Sequence, residues 1–276
     1  MIKKELHLKP DNEQEAADGR LSCFVDISRN GIQLLKLNDA FKTTEFVSWS
    51  FPNSETDAVW TENVNEVLTD EAFRSAVAEM PYKFSVSDCH LTIVPETLFE
   101  DEVAKSQIEF LFGESGESKV ITQKLSNTDA VGVIRIPNAL AQKIAEPISS
   151  SFITWADGLL GNSSGTKVNL TLNEKRFSLT ILKDGKLLFS NSFNHSKPDD
   201  VLYFLMASLE SLNILHSDAE LILSGRVDKG DEVYSILSRF ISKISFAKRP
   251  KNLTYSYSFN QIPEHRFPFI LAAACA

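Results

Sequence analysis

"DISRNGIQLLKLND", residues 26–39, lies over "TLNEKRFSLTILKD", residues 171–184, without a gap. Ile27 falls on Leu172, Ile32 on Phe177, Leu34 on Leu179, Leu37 on Leu182 and Asp39 on Asp184. In the second stretch Phe177, Leu179 and Ile181 alternate with Ser178, Thr180 and Leu182, the period of a strand with one apolar face. Lys183-Asp184-Gly185-Lys186 is a two-residue hairpin signal, because Asp-Gly accepts the positive φ values of a type I′ turn. Shortly afterwards "EFVSWSF" ends at Phe51 and "LLFSNSF" ends at Phe193. Each copy therefore reads strand, tight turn, strand, turn, strand.

The segments downstream of the two copies also correspond. After Phe51 a helix is predicted through residues 54–80, with Val59, Trp60, Val64 and Val67 at helical spacing and Ser54 at its cap. The strand Cys89–Pro95 comes next. After Phe193 comes a helix with Val201, Phe204, Leu205, Leu209 and Leu212 on one face. Asp199 and Asp200 fall in its first turn, where the helix dipole favours anions. A strand over 219–225 and a helix over 230–244 complete the half, and "LTYSY" is a further strand candidate. Each half thus reads β-β-β-α-β-α, which builds a mixed sheet with helices on its faces.

Between the halves lies a helix through "DEVAKSQIEFLFG", then strands "SKVITQKL" and "AVGVIRI", then a helix opened by Pro137. "SFITW" reads as a strand and "ADGLLG" as a short helix. This is a small α/β insertion at about 98–160, within a first lobe spanning 1–164. The linker-like "GNSSGT" at 161–166 separates it from a second lobe, 165–276.

A chain of 276 residues with 43% hydrophobic content can build two cores. A net charge of −9 opposes phosphate backbones, so no nucleic-acid partner is expected, and Lys243, Lys248, Arg249 and Lys251 read as a solvated loop. Cys23, Cys89 and Cys275 are isolated, which argues against a disulfide framework or a zinc site. The charged N-terminus carries no secretory pattern, and "FPFILAAACA" is too short to span a bilayer. Both features imply a soluble cytoplasmic protein with no direct membrane insertion. The histidines are scattered, no metal site is assigned, and GxSxG, GxxxxGK[ST] and HExxH are absent, so no catalytic residue is named. His90 reads as a packed or surface histidine and Glu96 as an acid at a helix start. Phe267 and Phe269 read as a terminal segment docking on its own domain.

The duplicated unit with its insertion resembles the actin-like ATPase superfamily, whose lobes are ribonuclease H-like. The insertion looks most like the pilus-assembly and divisome branch. "HLTIVPETLF" and "IPEHRFP" look like an uncharacterised bacterial family with that fold. In the superfamily each lobe's first hairpin carries Asp, any residue, Gly. The aspartate meets a metal, and the glycine lets backbone N–H groups close on a phosphate. Asp26 matches the first aspartate, but the glycine position is Ser28, and Gly31 falls at the turn. The second hairpin has Thr171 and Asn173 at these places. The nucleoside pattern keeps one glycine of two in Leu223-Ser224-Gly225-Arg226.

The resemblance therefore makes Asp26, Ser28, Ser224 and Gly225 the candidate cofactor-binding residues of an interlobe cleft. Asp26, taken alone, reads as a turn cap. The degraded pattern implies a non-catalytic scaffold or adaptor with a protein partner and no cofactor. The alternative is a divergent Mg-ATP-dependent ATPase or phosphotransferase using Asp26. A third reading is another small ligand in the cleft.

Overall fold

The computed structural model describes residues 2–10, 20–52, 54, 56–78, 80–144, 146–161 and 164–275. The first sheet opens with β1 (Lys3–Leu8), an edge strand that charged residues and a histidine hide from a hydropathy reading. The first meander is β2 (Ser22–Ser28), β3 (Gly31–Leu37) and β4 (Thr43–Ser50). Helices α1 (Asp57–Thr69) and α2 (Glu71–Val77) then lead to β5 (Tyr82–Val86), which pairs parallel to β2.

A separate three-stranded sheet comes next, made of β6 (His90–Pro95), β7 (Ser118–Lys124) and β8 (Ala130–Pro137) in the order β6-β8-β7. Helix α3 (Ala104–Phe112) packs on it, and α4 (Asn138–Ala141) leaves it. The chain returns to the first sheet as β9 (Ile148–Ser150), beside β5, and continues as α5 (Ser151–Gly158). The second sheet holds the meander β10 (Thr166–Leu172), β11 (Arg176–Lys183) and β12 (Lys186–Asn194). Helix α6 (Pro198–Ser211), β13 (Ala219–Gly225), α7 (Glu232–Leu237) and β14 (Lys243–Phe246) complete it, and α8 (Pro268–Ala273) ends the described chain.

The sheet orders are β1-β4-β3-β2-β5-β9 and β12-β11-β10-β13-β14. Leaving out β1, both run meander, then two strands parallel to the first strand of that meander. Residues that align in sequence hold like positions. Asp26 faces Ser85 across β2–β5, and Thr171 faces Ser224 across β10–β13. Asp184 and Gly185 carry φ of 49° and 74°, the turn that Asp-Gly predicts.

Several local expectations change. Cys89–Pro95 is not the main-sheet strand; β5 takes that place, because it is the first strand delivered after the crossover helices. The small sheet therefore begins at His90, ahead of residue 98, while β9 and α5 belong with the first sheet rather than the insertion. "SFITW" is helical: Ser150 Oγ accepts from Ile153 N at 3.3 Å, and Phe152, Ile153 and Ala156 are buried at helical spacing. The helix expected over 54–80 breaks at Asp70, whose carboxylate accepts from Ala72 N and Phe73 N and starts α2. Its true cap is Thr56, whereas Ser54 is buried and accepts from Asn63 Nδ2 at 2.9 Å. "LTYSY" makes only an isolated bridge, Lys42 to Thr254. Residues 162–163 of the linker-like stretch lie outside the described residues.

The C-terminal segment touches the second lobe through His265 and Arg266, bonded to Val227 O and Asp228 Oδ2, but Phe267 and Phe269 dock on the first sheet rather than on their own lobe. Phe269 sits edge-on to Phe152 at 5.6 Å and to Trp155 at 5.5 Å. Phe267 and Phe259 pack on Phe46 at 4.7 and 5.9 Å. Arg249, expected in a solvated loop, donates to the Phe259 and Ile262 carbonyls at 2.6 and 2.7 Å and anchors this segment. The reason is the face it covers. Phe24, Leu35 and Phe46 form one row across β2, β3 and β4, and the C-terminal segment packs over it. Truncating the aromatic anchor, Phe269→Ala, is expected to cost about 3–5 kcal/mol in urea unfolding, the range for a buried phenylalanine removed from a packed core.

Candidate functional site

The two hairpin tips, Ser28–Gly31 and Leu172–Phe177, face a cleft lined from both sheets. A cavity of about 370 Å³ lies there, with Ser28, Gln33, Ser48, Asn173, Gly225 and Arg226 among its walls. Beside it is an opening of about 690 Å³ bordered by Arg29, Asp57, Asp88, Glu174, Arg176 and His195.

Each sheet carries a row of short polar side chains across its strands. In the first, Ser85, Asp26, Gln33 and Ser48 are successive partners on β5, β2, β3 and β4. In the second, Ser224, Thr171, Ser178 and Ser192 are successive partners on β13, β10, β11 and β12. Asp26 is the one carboxylate in the two rows. It lies inside β2, so it is not the turn cap expected from sequence. Its Oδ1 accepts from Ser85 Oγ at 2.7 Å and Ser151 Oγ at 2.6 Å, and only 2% of the residue is exposed. Burial pushes its pKa up, against the lowering effect of those hydroxyls, so it holds its proton more tightly than an ordinary aspartate. The matching Thr171 hydroxyl is bonded to Ser224 Oγ at 2.7 Å. Neither Asp26 nor Ser224 lines the cavity between the tips; Ser28 and Gly225 do.

Ser28 serves its own turn: its hydroxyl donates to Gly31 O at 3.1 Å and accepts from Asn30 N at 3.2 Å. Its carbonyl takes the Trp60 indole N–H at 2.8 Å. Gly225 is required by backbone crowding, with φ of 81° and an ideal Cβ 2.2 Å from Leu172 O. The sequence-predicted residues are therefore gathered near the tips, but their polar groups are engaged within the protein.

Two residue pairs that sequence reasoning missed bridge the sheets. Asp88, just beyond β5, meets Arg176 of the second tip at 3.0 Å. Glu5 of β1 meets Arg226 at 3.0 Å, and Arg226 also holds Glu174 at 2.6 Å. Asp88 is 7% exposed, and its Oδ2 has no hydrogen-bond partner, nor has Arg176 Nε. The carboxyl end of a central strand is where open α/β sheets place polar sites, so locating β5 would have singled out Asp88. His90 stacks on Phe112 and accepts from Arg135 at 2.9 Å; burial, aided by that guanidinium, lowers its pKa to about 4 and keeps it neutral near pH 7. Glu96 opens a 3₁₀ turn and pairs with Lys124 at 2.5 Å. Among the described residues no three His, Cys, Asp or Glu side chains gather as a metal-ligand set, and no helix is long and apolar enough to cross a membrane.

Two hairpin-led sheets facing one cleft, with a small sheet inserted in the first, define the fold of the actin-like ATPases. Solved structures agree. A Bacteroides thetaiotaomicron protein "with actin-like ATPase fold and unknown function" matches at TM-score 0.73 and 18% identity, over 95% of this chain and 98% of its own. The "PilM-PilN type IV pilus biogenesis complex" matches at TM-score 0.61 and 13% identity, over 93% and 97%. No curated protein matches the sequence. Residues 12–244 match the family DUF3822, a protein of unknown function, and the chain belongs to that family.

The cleft yields two predictions. Because Asp26 has a raised folded-state pKa, the folded protein holds its proton more tightly than the unfolded chain. Its contribution is present below the unfolded value of 3.8 and is lost as pH rises through the folded value. Urea titrations at rising pH from about 4 should show this loss, and Asp26→Asn should flatten it. Arg176→Met strands the buried Asp88 carboxylate and should cost about 3–5 kcal/mol, most of it recovered in Asp88→Asn/Arg176→Met.

Proposed function

We propose that this protein is a non-catalytic scaffold or adaptor built on the actin-like fold, acting through a protein partner. The observation that carries the reading is the pair of equivalent positions Asp26 and Thr171. A magnesium-bound triphosphate needs hard oxygen ligands turned toward it. Here one position has no carboxylate, and the other holds a buried acid bonded to two serines. The second tip is bulky, charged and tied to Asp88. These residues do not fit a magnesium nucleotide, and no step is assigned through one.

The lobes, 1–164 and 165–276, are best regarded as a duplicated pair, supported by the shared strand order and the matching Asp26–Ser85 and Thr171–Ser224 positions. The C-terminal segment of the second lobe straps the first. Membership of a complex in the PilM-PilN structure supports a partner-binding role. Three free cysteines fit a reducing, cytoplasmic setting.

Thermal unfolding with millimolar Mg-ATP tests the reading. No shift is expected, whereas a ligand at about 100 times its Kd would add about 2.7 kcal/mol to stability. A clear upward shift, or ATP turnover abolished by Asp26→Ala, would replace the scaffold with a divergent ATP-dependent enzyme.

A further inference from the structure

Helix α3 buries one side and leaves the other bare. Ala104 and Ile108 pack on Val133 of β8, and Arg135 Nη1 donates to Gly113 O at 2.6 Å, fixing the helix end to the small sheet. Phe110 points away from that packed stripe and is 90% exposed, and Leu111, at its edge, is 54% exposed. Leu98, in the same segment, is 68% exposed. A single exposed apolar residue is ordinary on a protein surface. Two large ones side by side on a helix anchored this firmly are not explained by folding, since they contribute little burial.

The charge around them is lopsided. Residues 96–117 hold seven carboxylates and one lysine, a net −6 within a chain whose total is −9. Lys124 reaches Glu96 and Lys105 reaches Glu109. Among the described residues no salt bridge reaches Glu100, Asp101, Glu102, Glu114 or Glu117. The apolar pair therefore sits in a segment with strong uncompensated negative charge.

We propose that the outer face of α3, anchored by Phe110 and Leu111, is the docking surface for a basic amphipathic helix of a protein partner. The inference rests on the scaffold reading and names the chemistry of its partner. Apolar side chains spaced at i, i+3 and i+4 on such a helix cover Phe110 and Leu111, while its lysines and arginines meet the acidic surround. The same charge disfavours the other occupants. A second copy would bring two acidic segments together, and an anionic membrane or a nucleic acid would be repelled.

The test uses the full chain and a labelled synthetic helix of about 18 residues, with leucines at i, i+3, i+4 and i+7 and lysines elsewhere. Its twin carries glutamates in place of the lysines. Fluorescence anisotropy at low salt should show binding of the basic peptide alone. Phe110→Ser/Leu111→Ser, whose side chains are exposed and whose fold is checked by thermal unfolding, should weaken it roughly ten-fold, as for a hot-spot pair. Glu100→Lys/Asp101→Lys/Glu102→Lys should weaken it too and reduce its salt dependence. Absence of binding, binding unchanged by Phe110→Ser/Leu111→Ser, or equal binding of the acidic twin overturns the proposal. So does a dimer of the protein that Phe110→Ser/Leu111→Ser dissolves. These outcomes are independent of the Mg-ATP experiment, which bears on the scaffold reading alone.

Discussion

The register of the central strands β2 and β10 is the constraint on which the rest of the molecule depends. Strand side chains alternate, so a one-residue slip would exchange the two faces of each sheet. In the observed register Val25, Ile27, Ile32, Leu34 and Val47 face the principal core, and Phe24, Leu35 and Phe46 face the returning C-terminal segment. Along that second face the next row toward the hairpin tip is Asp26, Gln33 and Ser48. One surface thus passes from apolar to polar along the strand direction. The apolar end is strapped by Phe259, Phe267 and Ile270, and the polar end opens on the cleft. The second sheet has the same division, with Phe177, Leu179 and Ile181 in its core and Thr171, Ser178 and Thr180 on the other face.

The cleft is held by charge. Asp88–Arg176 and Glu5–Arg226 join groups from the two sheets, and Arg226 gathers Glu174 as well. The buried Asp88–Arg176 pair adds little net stability but makes loss of either partner costly, so it favours one relative placement of the sheets, whereas the exposed Glu5–Arg226 pair contributes little. The contact of α5 with α8 ties the C-terminal segment to the first sheet at another point, through Phe152, Trp155 and Phe269. Ion pairs at the hairpin tips and an aromatic cluster between these helices together favour one placement of the two sheets.

Much of this was legible in the residues. The gapless alignment of Asp26–Asp39 on Thr171–Asp184 predicted two meanders, and Asp184-Gly185 predicted its turn, because hairpins are decided by alternation and by φ at one or two residues. Boundaries that depend on competition between similar segments were less legible. Phe84-Ser85-Val86 and Leu91-Thr92-Ile93 alternate alike, and their sequence does not say which one β2 will accept. "SFITW" is too short to separate a period of 2 from one of 3.6. Asp26 looked like a turn residue because the tip begins only two positions later.

The sequence by itself determined the mixed α/β class, the repeated hairpin pattern and the missing second carboxylate, since these rest on local periodicity and residue identity. Tertiary structure alone decided that Asp26 is sealed by Ser85 and Ser151, that Asp88 finds Arg176, and that Phe269 returns to the first sheet. Each of these joins residues far apart in the chain. Burial and pairing are properties of where distant segments meet, and no local pattern encodes the distance between them.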